Sequence, residues 1–513
     1  MQEQLSRLAK NTVIYGIGGV LNRFIGFLLL PLFTAYLTPT DYGVSGILAM
    51  VAVVATNVFL LGIGAGLGIC YYEGNSADRK EAAVWTAMRL LVPSAAVLAV
   101  VGIVFPREIS QLAFGSPEYA YYTQLSVCTT AVSILITPLV LRLQFEERAV
   151  AFVILGTGTT LVSIGFSLVA VVVWKGGIKG LLEAGLAAQV VSLLAYASVV
   201  LRGITLRTER GLTAKLLRVS VPFIPSFVFL FIMQQSNRYV LQYYHGLSEV
   251  GIYSIGSSFG MVMALLVGAF SSAWYPYFMS FLERKDEARR TFGRVFTIYV
   301  IGFGFLQTLF YVAARPAVLL MTRPAFHNAF SVIGVCATAQ FAWGLYSLLL
   351  PGVYFSKETA SINLTQAVAA IATLTLSFVL IPGWGANGAA WAMALGALSL
   401  SVFQHLWNLY RRKDYLQVAY NWRPVVCFGV MASVSAMLLT RERAWSLPIE
   451  CGVAAASVVL LLPAHYFLLG SEERLLLRAF LASKLHLLFR KLSGVSESDK
   501  TADKALGAHS STR

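Results

Sequence analysis

From about residue 11 to residue 469 the chain is a succession of long apolar runs separated by short polar connections. Stretches such as Phe24 to Leu37, Val44 to Tyr72 and Ala456 to Leu469 hold almost no charge. A helix needs about 20 such residues to cross about 30 Å of hydrocarbon. The pattern predicts fourteen helices, at roughly 11–37, 41–69, 84–105, 119–141, 150–173, 178–201, 216–244, 249–282, 291–314, 326–350, 357–381, 386–410, 422–440 and 446–469. No soluble domain is inserted between them. The first run is too long for the apolar part of a signal peptide and contains an arginine, so it reads as a retained helix.

The pattern also repeats. Tyr36-Leu37-Thr38-Pro39-Thr40-Asp41-Tyr42-Gly43 sits between the first two runs, and Tyr244-His245-Gly246-Leu247-Ser248-Glu249-Val250-Gly251 between the seventh and eighth. Tyrosine, acid and glycine coincide at an offset of 208 residues. Gly177, Gly180 and Ala184 open the sixth run, and Gly385, Gly388 and Ala392 open the twelfth at the same offset. Pro117 and Pro324 open the fourth and tenth at an offset of 207. Six helices per repeat give both halves the same topology, the parallel arrangement of several transporters. The expected fold is therefore an all-α integral membrane protein of about fourteen transmembrane helices. Two parallel six-helix repeats form a two-lobed transporter, with two further C-terminal helices. The expected boundaries are 1–210 and 211–415 for the lobes, 416–470 for the last two helices, and 471–513 for a basic amphipathic helix and disordered tail.

Composition sharpens this picture. Of 513 residues, 57% are hydrophobic and only 12% charged, against about 25% charged in soluble domains. The net charge is +15. Lys and Arg fall in short connections between apolar runs, so the excess reads as membrane orientation and not as nucleic-acid binding. With the N-terminus inside, 29 of the 39 basic residues lie in inner segments and 7 in outer ones. Both termini are therefore expected in the cytoplasm. The tail from Glu472 to Leu492 alternates leucine with Arg and Lys and suits a helix lying on the membrane lipid of the cytoplasmic leaflet.

Candidate chemistry is sparse. The five cysteines are scattered, and the chain has no phosphate-binding GxxxxGK[ST] loop and no clustered histidines. His405 is the one histidine deep in a run and reads as a packed side chain. No cofactor or metal site is expected. The intramembrane cations carry the signal, because a lipid-facing Arg at mid-bilayer costs about 2.5–3.5 kcal/mol on insertion scales. Arg89 is near a run end and can snorkel. Arg23 is close to mid-membrane and cannot do so easily, and Arg238 lies in the outer half of its run. Each follows an asparagine, Asn22 and Asn237, and Gln234 and Gln235 lie one turn before Arg238. The repeat stacks the two arginines about two turns apart on nearly one face. Such a ladder of cations and amides suits an anion with several oxygens, such as a diphosphate. No carboxylate falls near mid-run to neutralise it. Asp41, Glu118, Glu183, Glu249 and Glu450 all begin runs near the outer face. A cavity of this kind would take an anionic substrate or a bound chloride. Prolines inside runs (Pro31, Pro138, Pro222, Pro225, Pro276) and the glycines Gly62, Gly64, Gly66 and Gly68 mark kinks or close packing.

Leu8 to Tyr15, Asn22-Arg23-Phe24, Leu30-Pro31-Leu32, Tyr36-Leu37 and Asp41-Tyr42-Gly43 resemble the start of Wzx-type polysaccharide biosynthesis proteins. These are lipid-linked oligosaccharide flippases of the multidrug/oligosaccharidyl-lipid/polysaccharide exporter superfamily. Ser236-Asn237-Arg238-Tyr239 and Val250-Gly251-Ile252-Tyr253-Ser254 resemble the family's helix 7–8 segment. The resemblance implies a central cavity between the lobes and alternating access that moves an undecaprenyl-diphosphate-linked glycan to the outer leaflet of the bacterial inner membrane. It places the diphosphate against Arg23 and Arg238 and makes glycan polymerase machinery a candidate partner. In the related lipid II flippases the last two helices form a groove for the lipid tail. Two other readings compete with this one. A cation-coupled multidrug or small-molecule antiporter generally needs a buried carboxylate. A membrane glycan polymerase or ligase generally needs a large outer loop, and the longest one here, Pro106 to Glu118, is short.

Overall fold

The computed structural model describes residues 25, 27–73, 76–202, 211–356, 360–411, 415–427, 429–431, 447–468 and 474. Every regular element among them is helical. In the first half these are α1 (Leu30–Tyr36), α2 (Pro39–Phe59), α3 (Ile63–Tyr72), α4 (Ala77–Val104), α5 (Pro106–Phe114), α6 (Ala120–Phe145), α7 (Ala149–Leu168) and α8 (Gly177–Val200). Then follow α9 (Leu212–Ser220), α10 (Ile224–Met279), α11 (Lys285–Met321), α12 (Phe330–Leu349), α13 (Pro351–Ser356), α14 (Ala360–Tyr410) and α15 (Leu447–Leu468).

Nine helices among the described residues are long and apolar enough to cross a membrane. Two of them are double. As one rod, the 56 residues of α10 would measure about 84 Å, far more than a bilayer. The chain turns back at Gly246 (φ 79°, ψ 179°) inside α10 and at Gly385 (φ 52°, ψ −131°) inside α14. Counted as two legs each, these helices account for the second through twelfth runs. The other three expected spans fall partly outside the described residues: the first begins at residues 25 and 27, the thirteenth is described at 422–427 and 429–431, and the fourteenth is α15.

The second run differs in detail from its expected single helix. It breaks between α2 and α3, where Leu61 and Gly62 both take positive φ (54° and 70°). A side chain on Gly62 would meet the Ser220 carbonyl. The break is thus the place where α9 seats against α3 and α4. Pro138 and Pro276 lie inside helices as expected. Pro222 instead lies in the short 3-10 turn Val221–Phe223 between α9 and α10, and Pro31 opens α1.

Exposed aromatic rings gather at the two ends of the bundle. Trp174, Tyr243 and Trp384 are at the end that carries the turns at 38 and 246, and Tyr72 and Tyr410 are at the other. This is the placement that membrane–water interfaces favour. Between them, Val100, Ile103, Ile154 and Leu161 are more than half exposed, as lipid-facing side chains are.

The buried core is divided unequally. At the end near residues 38 and 246, one cluster takes Val44, Ile47 and Leu48 from α2, Val240 and Tyr253 from α10, and Ala389 and Met393 from α14. Toward the opposite end the cores separate. Ile63, Leu67, Ala87 and Ile134 of the first half pack together with Leu216 of α9, while Phe278, Phe292, Phe296 and Phe341 pack within the second.

Candidate functional site

The two halves meet through α2 and α10. Thr38 caps α2: its hydroxyl accepts from Asp41 N, and the Asp41 carboxylate accepts from Thr38 N at 2.8 Å. Behind this cap the helices cross without side chains between them. A side chain on Gly43 would strike the Leu247 carbonyl, and one on Gly251 would strike the Pro39 carbonyl. Residues 39 and 247, and 43 and 251, are each 208 apart, so the contact is self-complementary, as across a two-fold axis. Gly46 faces Ser254, its own counterpart at the same offset. The repeat seen in the sequence is therefore also a pair of touching surfaces. Gly177 and Gly385, again 208 apart, share a positive φ (55° and 52°), which costs a glycine little.

The acids at this end serve the structure. Glu249 Oε1 accepts from Ala386 N at 3.2 Å, capping the second leg of α14. Glu183 accepts from the Tyr121 hydroxyl at 2.7 Å. Glu450, at the start of α15, pairs with Arg315 Nε of α11 at 3.1 Å, with side-chain exposures of 9% and 17%. Arg315 also stacks on Phe330 at 5.2 Å. Nothing local in the sequence joins residues 315 and 450, and neither was expected to matter as a pair.

The expected substrate residues separate into three groups. Arg23 and Asn22 lie outside the described residues. Asn237 is buried, and its amide nitrogen donates to Tyr253 Oη at 2.5 Å and to the Ala389 carbonyl at 3.3 Å, so it joins the two legs of α10 and α14. Arg238 and Gln235 stay together: Arg238 Nη1 donates to Gln235 Oε1 at 2.7 Å. Gln234 is exposed.

Arg238 is half-buried in a spanning helix, and its Nε is buried without a hydrogen-bond partner. Among the described residues no carboxylate pairs with it; its one hydrogen-bond acceptor is a neutral amide. It lies within electrostatic reach of Tyr253 and Cys336. A guanidinium so placed has lost much of its water without gaining a counter-ion, an arrangement that favours an arriving anion.

The opposite end carries a different kind of arginine. Arg142 is buried on α6. Its Nε donates to Glu146 at 2.6 Å, Nη1 donates to the Val200 carbonyl at 2.7 Å, and Nη2 lies 3.9 Å from Glu81. It ties α4, α6 and α8 into one body. The i, i+4 spacing of Arg142 and Glu146 could have signalled part of this. Nearby, Lys215 Nζ of α9 lies 2.6 Å from Glu73, whose carboxylate raises the lysine above its ordinary range. Arg89 is exposed. His405 is packed against Trp422 and Tyr420, with Nδ1 unpartnered. No group of acids, histidines and cysteines among the described residues could hold a metal ion.

Residues 8–282 match the family model described as polysaccharide biosynthesis protein. The chain belongs to this family. A relative named succinoglycan biosynthesis transport protein ExoT, from Rhizobium meliloti (strain 1021), is 23% identical over 475 residues, covering 89% of this chain and 91% of that one. Among solved structures, lipid II flippase MurJ in an inward closed conformation superposes with a TM-score of 0.68 at 11% identity, over 88% of this chain and 99% of that one. An inward-facing multidrug resistance MATE family transporter of the MOP superfamily superposes with a TM-score of 0.63 at 13% identity, over 79% and 97% of the chains. The likeness to both shows a two-lobed helical transporter fold, and with the apolar helices makes this family member a multi-pass membrane protein.

Proposed function

We propose that the protein is a flippase that carries a polyprenyl-diphosphate-linked oligosaccharide from the inner to the outer leaflet of the cytoplasmic membrane for surface polysaccharide biosynthesis. The observation that carries this reading is Arg238, a half-buried cation in a spanning helix with an unpartnered buried Nε and no carboxylate. A diphosphate supplies the missing acceptors. The family, the transport role named for the Rhizobium relative and the flippase fold neighbour all support the same class of cargo.

In this reading the lobes run from 1 to 210 and from 211 to 415, followed by helices over 416–470 and a cytoplasmic tail, with both termini in the cytoplasm. Arg23 joins Arg238 in holding the diphosphate, with Asn22, Gln234 and Gln235 as amide donors. Asn237 keeps Arg238 in place by locking α10 to α14. Transport proceeds by alternating access, in which the shared core near Gly43 and Gly251 parts while the opposite end closes. The glycan polymerase is the expected downstream partner.

Binding tests the site directly. A charge-assisted hydrogen bond is worth about 1.5–3 kcal/mol, so Arg238→Gln should weaken binding of a soluble short-chain polyprenyl diphosphate about ten- to hundredfold. Arg238→Lys should restore part of it. Unchanged affinity in the folded Arg238→Gln protein would remove Arg238 from the site. Drug resistance in an overexpressing strain, with no effect on surface polysaccharide in a deletion strain, would favour an antiporter instead.

A further inference from the structure

A cavity of about 510 Å³ lies between the halves, away from Arg238. Along α2 it is lined by Met50, Val51, Val54, Ala55, Val58 and Phe59. Their spacing of one, four, five, eight and nine residues marks one face of a helix, over a length of about 13 Å. Amphipathic α5 borders it through Leu112, α10 contributes Ser236 and Tyr239, and α14 contributes Phe378. The cavity is thus long, apolar and walled by both halves.

The two polar side chains in its wall have little left to offer a ligand. Ser236 Oγ donates to its own helix, to the Ile232 carbonyl at 2.5 Å. The Tyr239 hydroxyl points to the Leu112 carbonyl at 3.5 Å, across the two halves. Ligand sites normally keep a few convergent polar groups to orient their occupant. This one keeps an apolar stripe and suits hydrocarbon.

We infer that the cavity holds the polyprenyl tail of the transported lipid. The inference rests on the flippase reading and adds the place of the tail to it. Two features favour the cargo over a lipid of the surrounding bilayer. Because α2 of one half and α10 of the other both line it, the shape of the cavity depends on the relative position of the halves, the same coordinate that alternating access changes. In addition, Tyr239 in the wall is next in sequence to Arg238. Successive residues of a helix are turned by about 100°, so Tyr239 and Ser236 face the cavity while Arg238 is directed toward Tyr253 and Cys336. A lipid with its diphosphate at Arg238 and its tail in the cavity straddles α10 at one depth. No residue lining the cavity belongs to α15, which packs on α11.

Photolabelling of the full chain in lipid nanodiscs tests this. The probe is a polyprenyl diphosphate with a diazirine in the tail, compared with a phosphatidylethanolamine carrying a diazirine in one acyl chain. The expected result is polyprenyl labelling of residues 50–59 and 236–240, suppressed by unlabelled polyprenyl diphosphate. Val54→Trp should lower labelling there at least tenfold, and Ala55→Leu should lower it less. Polyprenyl labelling confined to 447–468, or labelling at 50–59 by the phospholipid probe without competition by polyprenyl diphosphate, would overturn the tail site and leave the flippase reading standing. A polyprenyl probe that labels no part of the protein would overturn both. The label map on the unmodified chain decides the matter even where a variant does not fold.

Discussion

The two ends of the bundle are built by opposite rules. At the end carrying residues 38 and 246, the long helices touch across the halves, Gly43 against Leu247 and Gly251 against Pro39, and Arg315 of α11 pairs with Glu450 of α15. At the other end the long helices of the two halves keep separate cores, and short α9 bridges them, with Leu216 and Ser220 buried against α3 and α4. Arg142 binds α4, α6 and α8 together, and the Lys215–Glu73 pair, exposed, fastens α9 to the first half. One end is therefore a seal between the long helices of the two halves, and at the other those helices part and only a short helix, α9, joins the described halves. Such an inequality is what a transporter closed on one side requires, and it makes the sealed end the place where substitutions should act most strongly.

The largest effect is expected at Glu450. Glu450→Gln removes the buried carboxylate that faces Arg315, and breaking a well-buried pair costs about 3–5 kcal/mol. Thermal or denaturant unfolding in detergent should show this. Joint replacement of Arg315 and Glu450 by Met and Leu should recover most of it. A silent Glu450→Gln would mean that α15 is not held by this pair. Next come the glycines. Gly43→Ala and Gly251→Ala each force a methyl onto a backbone carbonyl, an overpacking cost of about 1–3 kcal/mol. Because both act on one contact, the double variant should cost less than the sum of the singles. Strict additivity would break the picture of a single self-complementary seal.

A smaller effect distinguishes the halves within the seal. Asp41 caps its own helix, whereas Glu249, its counterpart, caps the second leg of α14 at Ala386. Glu249→Ala should cost about 1 kcal/mol and destabilise α14 locally, read by hydrogen exchange near residue 386. The smallest effect belongs to the opposite end. Lys215→Ala should leave stability within error. The lysine is raised by Glu73, so its contribution is fully present below the ordinary lysine range and fades only as pH rises through its elevated value. Loss of stability on removing this pair near neutral pH would contradict the contrast between the ends.

Much of this was legible in the sequence, for physical reasons. Apolar run length fixes spanning helices, and the second through twelfth runs appear as helical legs. The 208-residue offset was visible because the same turn chemistry was needed twice, at Gly177 and Gly385. What the offset could not show is that Gly43 and Gly251 touch each other's half, since a repeat does not reveal how its copies dock. The break at Leu61 and Gly62 was hidden in a run of glycines that also fits a continuous helix. At the candidate site, Asn237 and Arg238 looked alike as neighbours in a polar patch. Helical geometry turns them in different directions: Asn237 spends its amide nitrogen on Tyr253 and Ala389, with its own Oδ1 unpartnered, while Arg238 keeps an unpartnered Nε. The Arg315–Glu450 pair joins distant segments and left no local signal.

We propose that the uncompensated Arg238 holds the diphosphate of the transported glycan. The most direct measurement reconstitutes the purified protein in vesicles and follows a fluorescent polyprenyl-diphosphate-linked oligosaccharide from one leaflet to the other. The intact chain should translocate it, and Arg238→Gln, present at equal amount and equally folded, should fall to about a tenth of that rate or less. Translocation by Arg238→Gln at the rate of the intact chain would contradict the account.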